Sequence, residues 1–136
     1  MAARGLGKGY TGAKWLTRKK RLALYLRDAL CCAYCRVGME DGAALSLDHL
    51  TPHSQGGTNA ADNLVTCCLR CNSSRGDRDW RVFAGTVAAY LNHGITADQI
   101  IQHVETTRLR PYDTEAAKDL IARRGGFSQT LAILKK

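Results

Sequence analysis

The sequence predicts an α+β protein: a small metal-clamped core flanked by an N-terminal basic helix and by helices on the C-terminal side. Three observations predict it. Two C-x-x-C pairs, Cys32/Cys35 and Cys68/Cys71, lie a few dozen residues apart. Between them, residues 37–48 read as a hairpin, with Glu40-Asp41-Gly42 as its turn and residues 44–49 as its second strand. Beyond Gly76 the apolar residues recur at helical spacing.

At 136 residues with 45% hydrophobic content, the chain fits one compact domain with extensions. Twenty Lys and Arg against twelve Asp and Glu leave a net charge of +8, which favours a polyanionic partner such as nucleic acid. The first 21 residues hold seven basic side chains (Arg4, Lys8, Lys14, Arg18, Lys19, Lys20 and Arg21) and no acidic one. The expected division is a flexible basic arm over 1–16, a core over 17–79 and a helical extension over 80–136. No run approaches the ~20 apolar residues that span a bilayer, so no membrane association is expected. Arg27 and Asp28 interrupt the apolar stretch that a secretory signal would need. An intracellular, cytoplasmic protein is the expectation, and there a metal site suits six clustered cysteines better than disulfides do.

Taken in order, Thr17 reads as the cap of a helix over 17–30, with Leu22, Leu26 and Leu30 on one face and Arg18, Lys19 and Arg27 spread over the rest. Cys32 to Cys35 should form a tight turn. Residues 51–62, with Pro52, Gly56, Gly57 and Asn59, read as a loop, and loops of this length are more often functional than incidental. A short helix from Leu69 should carry Asn72 and Arg75 on one side and end near Gly76. Phe83, Val87, Tyr90 and Leu91 mark a helix over 80–92, stopped by His93-Gly94. Thr96 with Gln99 forms a capping box for a helix that ends at Arg110-Pro111. A further helix over 114–124 carries Ala117, Leu120 and Ile121, and Ser128 is expected to cap a final short piece. His93 and His103 read as structural or surface residues.

Each C-x-x-C loop turns back far enough to aim two thiolates at one ion, and four such ligands satisfy a tetrahedral Zn²⁺ with no open position. Cys32, Cys35, Cys68 and Cys71 are therefore the expected structural zinc ligands, with reduced core thiols or a redox pair as the alternative. Cys31 and Cys67 read as small buried hydrophobes. A hairpin and a short helix bury too little surface to hold a precise geometry unaided, so the metal should couple to folding.

Between and beside the pairs stand Asp48-His49, Pro52, Gly56-Gly57, Asn63-Leu64 and Cys71-Asn72-x-x-Arg75-Gly76. A carboxylate, an imidazole and two amides at ordered intervals suit a metal-dependent nuclease site. In joint order and spacing these residues resemble the HNH endonucleases of the zinc-containing ββα-metal kind, over roughly residues 32–76. The resemblance implies a ββα-metal core that hydrolyses DNA phosphodiester bonds. It implies His49 as general base, an imidazole being able to accept a proton near neutrality. Asp48 and Asn72 would supply hard oxygens to a catalytic divalent ion, Mg²⁺ with Mn²⁺ as substitute. Asn72 stands where many relatives have histidine, which makes the site harder and argues against tight nickel or zinc binding there. Asn63 would brace the loop and so orient His49. Arg75 would steady a phosphate, with a plain surface charge as the alternative; His53 either touches a phosphate or is a solvated loop residue.

DNA is the expected partner, drawn to Arg18, Lys19, Lys20 and Arg21 and to the arm before them by phosphate neutralisation rather than base reading. No helix-turn-helix or two-histidine finger is present, so sequence preference should be weak. One site cuts one strand, making a nick the minimal product and a double-strand break the work of two events. The resemblance extends to phage proteins encoded near packaging functions, which suggests help to a terminase. The alternative is a non-catalytic zinc-stabilised nucleic-acid-binding module.

Overall fold

The computed structural model describes residues 16–91 and 94–134. Arg4, Lys8 and Lys14 of the basic arm, and His93, lie outside the described residues. The element order is α1 (Arg18–Arg27), β1 (Leu45–His49), β2 (Leu64–Cys68), α2 (Leu69–Arg75), α3 (Trp80–Leu91), α4 (Ala97–Thr107), α5 (Thr114–Arg124) and α6 (Phe127–Leu134).

Thr17 caps α1, its side chain accepting from the Lys20 amide at 3.2 Å. The helix stops short of Leu30. The Leu30 amide donates to Tyr25 O at 2.8 Å and the Ala29 amide to Leu26 O at 3.1 Å, a Schellman closure with Ala29 (φ 61°) and Leu30 (φ 58°) both left-handed. Leu30 is therefore off the helical stripe on which its spacing placed it.

What holds this closure is a buried charge pair. Arg27 and Asp28 form a two-pronged ion pair, Nε to Oδ1 at 2.6 Å and Nη2 to Oδ2 at 3.1 Å. Arg27 also donates to Ala61 O at 2.9 Å and Leu64 O at 2.7 Å, while Asp28 Oδ2 accepts from the Thr66 amide at 2.8 Å. Arg27, which its spacing placed off the apolar face of α1, is thus buried, because the carbonyls of Ala61 and Leu64 take its donors. Removing one member of such a pair leaves the other charge buried and unpaired. Arg27→Ala should lower stability by about 3–5 kcal/mol, read from urea unfolding.

The hairpin also differs from its expected form. β1 pairs antiparallel with β2, Leu45 opposite Cys68 and His49 opposite Leu64, and not with the residues before it. Those earlier residues make a single 3₁₀ turn, Met39–Asp41, closed by left-handed Gly42, and one isolated bridge between Cys31 and Gly38. β2 is buried along its whole length. Leu64 packs with Leu16 and Leu24, and the Thr66 hydroxyl lies 3.4 Å from Leu24 O, so these residues face α1. Val65 and Cys67 face the main core. The outer edge of β2 is covered too, since Thr66 accepts from the Ala33 amide at 2.9 Å.

The helical extension completes that main core. Trp80, Phe83, Ala84 and Val87 of α3 and Ile100 and Val104 of α4 cluster with Cys32, Tyr34, Cys68 and Cys71. The capping box of α4 forms as the sequence indicates, Gln99 N to Thr96 Oγ1 at 3.1 Å and Thr96 N to Gln99 Oε1 at 2.8 Å. α5 is capped by Asp113 and packs with α6 around Leu22, Ala23 and Ala117. Ser128 is not a cap, because α6 already begins at Phe127. No helix among the described residues is long and apolar enough to cross a membrane.

Candidate active site

β1, the long loop after it and α2 enclose a cleft of about 280 Å³ lined by Leu47, Asp48, His49, Pro52, His53, Asn72, Arg75 and Gly76. Asp48 and His49 arrive on consecutive residues at the end of β1, so their side chains leave opposite faces of the strand. Asp48 is buried and His49 half-buried.

Asp48 Oδ2 takes two strong bonds, from Arg75 Nη1 at 2.5 Å and from the Tyr34 hydroxyl at 2.8 Å. Both bonds fall on Oδ2 and not on Oδ1. Burial pushes the Asp48 carboxyl above its ordinary value, with the Arg75 charge and the Tyr34 bond pulling it back. A cation in the cleft would relieve that cost. Tyr34 is driven upward chiefly by its own burial and next by the Asp48 charge, so it remains a donor. Its ring stands edge-on to Phe83 at 5.1 Å, which fixes where the hydroxyl points.

Arg75 is neither a surface charge nor turned outward. At 3% exposure it also donates to His49 O at 2.7 Å and Leu50 O at 2.8 Å, and so straps α2 to the end of β1.

Asn72 is oriented by a hydrogen-bond chain. Ser46 Oγ donates its single proton to Cys67 O at 2.9 Å and must then accept from Asn72 Nδ2 at 3.0 Å. The Asn72 carbonyl oxygen is thereby turned away from Ser46. A carboxylate oxygen and an amide oxygen are the hard donors that suit a small divalent ion.

Asn63 closes the loop and does not itself meet the imidazole. Its Oδ1 accepts from the Thr51 amide at 2.9 Å, and its Nδ2 donates to Thr51 O at 3.1 Å and Thr58 O at 2.8 Å. Gly57 belongs to the same closure, because a Cβ there would lie 1.7 Å from Thr51 O. Asn59 does meet His49, its Oδ1 lying 2.8 Å from Nε2. His53 is exposed at the rim. Sequence reasoning missed Asn59 and Tyr34. The available signal for Tyr34 was an aromatic inside a metal-binding turn.

The four cysteines of the clamp meet. Their sulfurs all lie within 4.8 Å of one another, and Cys35 and Cys68 are 3.8 Å apart. A tetrahedron with metal–sulfur bonds of about 2.3 Å has edges of about 3.8 Å, so the donor set and spacing fit a tetrathiolate metal site. Hydrogen bonds from Cys35, Cys67 and Cys71 pull the Cys32 thiol below its usual range. Cys67 is fully buried, whereas Cys31 is half-exposed with its Sγ 3.2 Å from Ala29 O, which corrects its reading as a buried hydrophobe.

On α1, Arg18 is exposed and Lys19, Lys20 and Arg21 are half-buried; none lines the cleft. Arg21 donates to the Tyr25 hydroxyl at 3.3 Å, and Lys20 Nζ to Asn59 O at 2.8 Å.

Residues 32–79 match the family model for HNH endonucleases. The chain is also 34% identical over 84 residues to the CRISPR-associated endonuclease Cas9 of Corynebacterium diphtheriae, a stretch covering 61% of this chain and 7% of the relative. No solved structure matches significantly. In motif order, in the two-stranded sheet followed by a short helix, and in the clustered cysteines, residues 32–79 are similar to the HNH endonucleases.

Proposed function

We propose that this chain is a divalent-metal-dependent DNA endonuclease that hydrolyses one phosphodiester bond per encounter, leaving a nick, on a core held by a structural zinc. The observation that carries this reading is the single cleft shared by Asp48, His49 and Asn72. Attack of water on a phosphodiester needs a proton acceptor, and the His49 imidazole at the cleft would be that acceptor. Asp48 and Asn72 would hold Mg²⁺ or Mn²⁺ through their outward oxygens, with Tyr34 and Arg75 fixing the first and Ser46 the second. When bound, the ion stabilises charge on the scissile phosphate and the departing oxygen. Cys32, Cys35, Cys68 and Cys71 would hold the zinc, and Tyr34, inside the first cysteine turn, ties that metal to the Asp48 carboxylate.

Exposed Arg18, with Lys19 and Arg21 beside it on α1, would attract the DNA backbone, while Lys20 donates to Asn59 O. Residues 17–79 would carry the chemistry, with 80–136 completing the core beneath it.

The test is cleavage of duplex DNA across a Mg²⁺ and Mn²⁺ titration, wild type beside Asp48→Ala. Wild type should cut only with the divalent ion. The variant should lose about a hundredfold or more in rate at matched metal, corresponding to the several kcal/mol that metal-assisted charge stabilisation supplies. Equal cutting by both, or cutting by wild type in chelator, would contradict the reading.

A further inference from the structure

We propose that Asn59 is a positioning residue that holds the His49 imidazole in one tautomer, with Nε2 protonated and Nδ1 basic, and that Lys20 holds Asn59 in place. The inference rests on the reading of His49 as the base and names what prepares it.

A carbonyl oxygen only accepts, so the 2.8 Å contact between Asn59 Oδ1 and His49 Nε2 puts the ring proton on Nε2. The lone pair then resides on Nδ1. A neutral imidazole in the opposite tautomer presents a proton where a base is needed, and tautomer control by a hydrogen-bonding neighbour is a large term in catalysis by histidine.

The neighbour must itself be fixed. Asn59 lies in the return limb of the long loop, and basic side chains from outside the loop pin the carbonyls along that limb. Lys20 Nζ donates to Asn59 O at 2.8 Å. Arg27 Nη1 donates to Ala61 O at 2.9 Å and Arg108 Nη1 to Asp62 O at 2.8 Å. On the other side, Asn63 Nδ2 holds Thr58 O at 2.8 Å. Lys20 is thus spent on the loop that carries the positioning amide, although its neighbours in sequence mark it as one more phosphate-attracting charge.

The experiment uses the full, zinc-loaded chain with ¹⁵N-labelled histidine. Long-range ¹⁵N–¹H correlation spectra report which ring nitrogen of His49 carries the proton, and single-turnover cleavage of duplex DNA with Mn²⁺ reports the rate. Wild type should show the Nε2–H form. Asn59→Ala should lose that preference and about 10- to 100-fold in rate, the range seen when a partner orienting a site residue is removed. Asn59→Asp, which keeps an acceptor, should restore both the tautomer and most of the rate, which a merely structural role would not do. Lys20→Met should lower the rate less than Asn59→Ala and weaken the tautomer preference.

An Nδ1–H tautomer in wild type overturns the proposal, as does wild-type cutting by Asn59→Ala with the tautomer unchanged. Failure of the underlying reading is separately visible: His49→Ala would then cut like wild type, while the spectra would still decide whether Asn59 sets the ring.

Discussion

Removing the metal from the Cys32, Cys35, Cys68 and Cys71 cluster is expected to unfold the catalytic core rather than merely soften it. Structural zinc sites contribute about 10–16 kcal/mol at neutral pH in small metal-folded domains, as much as or more than the ~5–15 kcal/mol by which a typical domain is stable. Three of the four sulfurs are buried in the cluster that also contains Tyr34, Val65, Trp80 and Phe83. Without the ion, packed thiols replace a bonded tetrahedron, and the turn that carries Tyr34 loses its anchor. Since Tyr34 holds Asp48 at 2.8 Å, the consequence reaches the cleft. Chelation, or Cys68→Ser, should release one zinc per chain and abolish the cooperative urea transition of the core. Retention of that transition, with zinc gone, would contradict the assignment.

The sequence shows most clearly those features that are encoded locally. The cysteine spacing constrains two turns outright, and the sulfurs do come together. The Thr96–Gln99 capping box marks its helix to the residue, because both bonds are made within one turn. What stayed hidden depends on tertiary partners. β2 reads Leu-Val-Thr-Cys-Cys, without the alternation of a half-solvated strand, because α1 covers one of its faces and the main core the other. With β2 unrecognised, β1 could only be paired with the residues before it. Arg27 looks like any solvated helical charge until the carbonyls of Ala61 and Leu64 are brought to it.

The candidate site divides in the same way. Asp48, His49 and Asn72 are brought to one cleft, and their order in the chain points to them. Their supports are set by tertiary contacts, and of these only Tyr34, inside a cysteine turn, carries a sequence signal. Tyr34, Ser46 and Asn59 reach Asp48, Asn72 and His49 across 14, 26 and 10 residues of chain. Arg75 is the instructive case: its position in the motif marks it, but only its burial reveals that its charge serves Asp48 and the strand end instead of the solvent face.

His49→Ala carries the second large effect. A positioned general base typically contributes about 10²–10⁴-fold in rate. The His49 ring contacts the loop through Asn59, while the strand ladder and the Arg75 bond to His49 O are backbone features that alanine keeps. The variant should therefore retain its zinc and its unfolding transition and lose only turnover. The most direct test of the account is conversion of supercoiled plasmid to nicked circles by zinc-loaded protein in Mg²⁺ or Mn²⁺, wild type beside His49→Ala. The account predicts metal-dependent nicking by wild type and a loss of about 10²–10⁴-fold in the variant. Equal nicking by the two proteins, or no nicking by folded wild type with either ion, would contradict it.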